Sequence, residues 1–189
     1  MGSEGSGSDP DIFATVVRNV FGVKLRLVSG YPGSAEVALA IERREVDGRC
    51  GWSYSSLKQQ RSDWITNHQV NILVQLALKK SPELPDVPLV TDFATTDRQR
   101  QILRLVFSRQ AMARPFVAPP GVPAERTVAL RAAFDATMRD PEFLAEAKQR
   151  GLEVNPVSGA EIDRLIDELY RTPADTVAEV RAIIAPGAK

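Results

Sequence analysis

The sequence predicts an α/β fold whose second half is largely helical. Two observations carry this. Strand-like and helix-like stretches alternate through the first half, the pattern of βαβ units around a parallel sheet. Beyond it, one helix-start signal follows another, each a Ser, Asp or Pro ahead of an apolar stripe. In open parallel sheets, ligands sit beyond the carboxyl ends of strands, where loops feed helix N-termini. Residues 2–9, 29–34 and 50–53 are the loops with that position.

The elements follow in order. The chain opens MGSEGSGSDPDIF, a Gly/Ser run that also suits a cloning linker. Ser8, then Asp9-Pro10-Asp11, reads as a helix start, with Ser8-x-x-Asp11 at capping-box spacing. The helix runs over 11–20 with Ile12, Phe13, Val16, Val17 and Val20 on one stripe, and Gly22 stops it. Residues 23–28 alternate as a strand, and Ser34 caps a helix over 35–44. Residues 45–51 form a short strand entering a glycine loop, and a short helix begins at Trp52. Residues 70–77 are strand-like, and three prolines make 81–88 irregular. A helix over 98–108 buries Ile102, Leu103, Val106 and Phe107. After an extended stretch at 113–118 and a proline turn come helices over 124–139 and 141–150, a short strand over 152–157, and helices over 158–170 and 172–184.

Composition narrows the function. The 189 residues suit one domain, or one plus an appendage. With 43% hydrophobic residues there is enough apolar material for a core, which excludes wholesale disorder. Lys+Arg and Asp+Glu are both 24, and zero net charge argues against a nucleic-acid binder driven by bulk electrostatics. No apolar run approaches the ~20 residues of a membrane span, and no secretory signal pattern opens the chain. The lone Cys50 and lone His68 exclude an intrachain disulfide, a cysteine-based zinc site and a multi-histidine metal site.

A few residues carry chemistry. The loop Gly5, Ser6, Gly7, Ser8 before a helix offers backbone N–H groups and a helix dipole to an anion. Tyr31, Gly33 and Ser34 form a second turn able to face a ligand, or an ordinary strand-to-helix turn. Asp47 ends a strand and suits a loop-orienting role better than acid catalysis, and Cys50 reads as a buried inert thiol rather than a nucleophile. His68 falls in a polar surface loop, and the basic residues from Arg98 to Arg104 read as a solvated helix face.

The order GSEGSGSD–helix, SGYPGSAEVALAIERREVDGR, KKSPELPDVP, APPGVPAERTVALRAAFDATMRDPEF resembles the second lobe of the tripartite tricarboxylate transporter receptors, the TctC-like or Bug periplasmic solute-binding proteins. The family pattern is G-x-G-S/T-x-x-H, Y-x-G, G-x-V-D, S-P-x-L-P-D-V-P, A-P-x-G-x-P and D-P-E. The resemblance implies a periplasmic-binding-protein-like (type II) α/β lobe with a mostly parallel sheet over residues 1–111, and a mostly helical return segment over 112–189. It implies capture of a small organic carboxylate by Gly5–Ser8 and the Tyr31–Ser34 turn, with Gly51, Trp52 and Ser53 as pocket wall, no cofactor, and delivery to membrane permease subunits from the periplasm.

Asp11 stands where the family has His, and a carboxylate there repels an anion, so either Asp11 points away as a helix-capping acid, the favoured reading, or the ligand is not a simple dianion. On this pattern the chain starts where the second lobe starts, so weak solute binding and self-association over the uncovered surface are expected. The runner-up is a cytoplasmic small-molecule sensing or regulatory domain.

Overall fold

A computed structural model describes residues 1–112 and 114–185 of the chain. The expected sheet-dominated lobe is absent: the structure is 54% helix and 4% strand. The only ladder among the described residues is parallel, β1 (Gly2–Ser3) on β2 (Val28–Ser29), with Gly2 opposite Val28 and Ser3 opposite Ser29. Gly2 also bridges Arg49 on its other side. β1 is thus the middle of three extended segments, which pair for only one or two residues. The carbonyl of Ser3 accepts from the amides of both Gly30 and Tyr31 (3.1 and 3.3 Å), so the chain curls around the end of β1 and the ladder stops.

The expected strands fail for a physical reason. Alternation reports one-sided burial, not backbone pairing. Leu25 and Leu27 pack inward while Val23 and Lys24 are exposed, yet the pairing begins only at Val28. In 70–77, Val74 and Leu76 pack on the main core and Val70 and Ile72 on a smaller cluster, with Gln75 making one isolated bridge to Leu89. Residues 152–157 form no strand. Ala113 of the expected 113–118 segment lies outside the described residues, and 114–118 have no regular structure.

By contact the chain divides into two compact units, Ser108–Arg171 and everything on either side of it. The first unit is built on α1 (Asp9–Phe21), which buries Phe13, Ala14 and Val16 and ends at Gly22 (φ 67°). Each such large apolar side chain contributes about 1.5–3 kcal/mol on burial. α2 (Ser34–Glu42), α3 (Tyr54–Gln60) and α4 (Ser62–Thr66) surround Trp64 and Leu57. α5 (Asp97–Phe107) sets Phe107 against Phe13, ring centroids 5.0 Å apart at 59°. Gln75 anchors the proline loop: its Nε2 donates to the carbonyls of Leu84 and Val87 (both 2.8 Å), and its Oε1 accepts from the Ser81 amide (2.8 Å).

The second unit holds α6 (Ala124–Thr137), α7 (Pro141–Gln149) and α8 (Gly159–Tyr170). Asp140 caps α7 through the Phe143 amide, and Ser158 with Glu161 forms a full capping box on α8. Its core is thin: among the described residues only Ser108 and Ala147 are buried there, while Phe116 and Tyr170 are 88% exposed. After it the chain returns to the first unit as α9 (Ala174–Ile184), packed on α1 and α5. Asn19 Nδ2 donates to the Ile183 carbonyl (2.8 Å), and Arg98 reaches Glu179, Asp175 and Thr176.

Candidate functional site

Gly2 and Ser3 are buried, so the Gly/Ser opening begins as a packed strand. A Cβ on Gly2 would meet Val37 Cγ1 at 2.8 Å, which is how α2 closes on β1. The following turn holds Gly5 to Ser8. Ser8 donates its amide and its hydroxyl to the same Gly5 carbonyl (3.1 and 2.7 Å), and Ser6 and Gly7 are exposed. Ser8 occupies the N-cap of α1, but its side chain makes no capping bond.

Asp11 is therefore not the capping-box partner that its spacing suggests. Its Oδ1 accepts from Ser3 Oγ (3.3 Å) and Ser29 Oγ (3.1 Å), hydroxyls that lie 2.9 Å apart. A carboxylate thus ties the carboxyl ends of β1 and β2 to α1. Tyr31 sets its ring beside Gly2. Gly33, not Ser34, is the N-cap of α2; Ser34 is its first residue and donates to Gln60 Oε1 (3.3 Å).

Gly51 and Trp52 come closest to a site. Gly51 sits at φ 69°, and a Cβ there would meet Phe13 Cδ2 at 2.9 Å and the Asp9–Pro10 backbone at 3.2 Å. That contact holds the loop after Cys50 against the first turn of α1. Trp52 then meets Trp64 edge-on, centroids 6.1 Å apart, and carries the Arg49 guanidinium 5.5 Å above its ring.

Arg49 is the residue that sequence reasoning missed. Its side chain is only 7% exposed, and Nη2 pairs with Glu4 Oε1 at 2.5 Å. The remaining donors Nε and Nη1 are buried without a partner, as are Trp52 Nε1 and the second Glu4 oxygen, Oε2. A buried guanidinium and carboxylate are costly unless their hydrogen-bonding capacity is filled. The pairing of Gly2 with Arg49 explains the juxtaposition: Glu4 follows β1 as Arg49 follows Gly48, at adjacent ends of parallel segments. The available signal was opposite charges at two neighbouring strand ends, with Glu4 the lone charge in GSEGSGS. It depends on knowing which segments pair.

Burial pushes the Cys50 thiol up to about 11, which suits an inert core thiol rather than a nucleophile. His68 is exposed, and Asp47 is exposed on the rim of a cleft of about 450 Å³ at the amino ends of the same segments. Lys24, Arg26, Glu45 and Asp47 line that cleft with cancelling charges. Among the described residues no group of His, Cys, Asp and Glu is placed to hold a metal, and no helix is long and apolar enough to cross a membrane. Compared with family models, curated proteins and solved structures, the chain finds no match in any of the three.

Proposed function

We propose that the chain binds a small organic carboxylate at Arg49 and Trp52, the task of a solute-binding receptor like those its motif order resembles. One observation carries the reading: a nine-tenths-buried arginine with two donors unpartnered, stacked over a tryptophan whose Nε1 is unpartnered too. The planar guanidinium fork matches two carboxylate oxygens, and each charge-assisted bond contributes about 1.5–3 kcal/mol. Gly51 fixes the loop that presents Trp52, and the Glu4 pair fixes the guanidinium plane. With no nucleophile or acid/base pair beside these groups, the arrangement suits capture rather than turnover.

Both tryptophans of the chain lie at or next to this site, so their emission reports occupancy. In a fluorescence titration with three- to six-carbon carboxylates, at least one should bind, with a dissociation constant above about 10 μM. Arg49→Ala should weaken it more than tenfold, and Arg49→Lys, which keeps the charge but not the fork, nearly as much. A panel with no saturable response, or one bound equally by a folded Arg49→Ala protein, refutes the proposal.

A further inference from the structure

The second unit leaves its apolar surface open. Among the described residues, nine of the fifteen exposed large apolar side chains lie in Ser108–Arg171, and α6 buries none of its own. One patch is continuous. Phe116 packs its ring on Phe134, centroids 5.6 Å apart, and is still 88% exposed. Leu130 lies one turn before Phe134 on the same face of α6 and is 58% exposed. Ala133 adds an exposed methyl beside them. Together they offer on the order of 350 Å² of apolar surface, as much as the largest patch on a typical monomer. An interface is roughly 60% apolar, so this patch with its polar rim covers about 600 Å² on each side. That is the lower edge of a specific dimer interface, and it corresponds to a dimer held in the micromolar range.

Charge selects the occupant. α6 carries two acids, Glu125 and Asp135, against two bases, Arg126 and Arg131, so a second α6 is not repelled. α8 carries four acids and one base and repels its own copy. The stripe of Arg126, Leu130, Ala133, Phe134 and Thr137 holds one charge, Arg126. We propose that a second copy of this chain docks on this stripe, α6 antiparallel to α6 about a twofold axis at Leu130. Leu130 then meets its counterpart. Each Arg126 guanidinium lies over the Phe134 ring of the other copy, because both residues stand four positions from the axis. The two Arg126 residues are about 12 Å apart along the helices, beyond the ~10 Å screening length of ordinary salt.

Sedimentation velocity of the full chain from about 1 to about 200 μM tests this. A monomer–dimer equilibrium is expected, and Leu130→Asp should weaken it more than tenfold. Val128, 67% exposed, lies about 200° around the helix from Leu130, so Val128→Asp should leave it unchanged. Under mild oxidation Leu130→Cys should form a disulfide-linked dimer and Val128→Cys should not, since the natural Cys50 is buried. A monomer at every concentration overturns the proposal. So does a dimer that Leu130→Asp leaves intact, or that Val128→Asp weakens as much. Should Leu130→Asp not fold, the cysteine pair decides: equal cross-linking at both positions, or none at either, overturns it.

Discussion

Replacing Gly51 by alanine tests the contact on which the site is built. The residue sits at φ 69°, in the left-handed region, where a Cβ costs about 1–2 kcal/mol. The added methyl also has nowhere to go. It would lie 2.9 Å from Phe13 Cδ2 and 3.2 Å from the Asp9 carbonyl carbon and the Pro10 nitrogen. Phe13 is 2% exposed and wedged against Phe107, so its ring cannot swing aside freely, and the other two atoms are backbone. Overpacking of this kind adds about 1–3 kcal/mol. The sum is a loss of roughly 2–5 kcal/mol in urea unfolding, with Trp52 emission altered in the folded state because its loop must lift off α1. A loss below about 0.5 kcal/mol, the range of an inconsequential surface change, would refute the packing argument.

Other substitutions probe independent features. Gln75→Leu strands the Val87 carbonyl and the Ser81 amide and leaves the Leu84 carbonyl with the Val87 amide alone, and should cost about 2–4 kcal/mol while making 81–88 the first site of limited proteolysis. Ser158→Ala removes a capping box and should lower stability by about 1 kcal/mol or melt α8 selectively by hydrogen exchange. Cys50 predicts a pH dependence. Its folded value of about 11 lies above the ordinary 9.0, so its contribution is complete below pH 9 and is lost as the unfolded chain ionises between 9 and 11. That amounts to roughly 2–3 kcal/mol, measured as the difference in alkaline unfolding slope between the natural chain and Cys50→Ala.

Most helices were legible because their signals are local, whereas α4 lies in a polar stretch that announced no helix. Gly22 closes α1, Asp140 and Ser158 open α7 and α8 with capping bonds, and the apolar residues expected inside α5 are the ones buried. The sheet was not legible, because half-buried extended chain and paired strand share a period of two, and only tertiary placement separates them. The same limit hid the site. Trp52 and Gly51 stood out by residue type, whereas Arg49 is one of 24 basic residues and becomes exceptional only through burial against Glu4. Asp11 was misjudged in the opposite way. Its spacing fits a local cap, but hydroxyls from two different strands claim it.

The closure of α1 by α9 has a consequence for biosynthesis. Val180 belongs to the same buried cluster as Phe13 and Phe107, and Asn19 grips a carbonyl 164 positions further along. While the ribosome is still making residues 108–171, the groove that α9 will fill stands open to water. Helices α6 to α8 can form meanwhile, whereas the earlier-made portion waits for α9. Emergence of α9, rather than emergence of the amino-terminal portion, is then the step at which the first unit becomes protease-resistant.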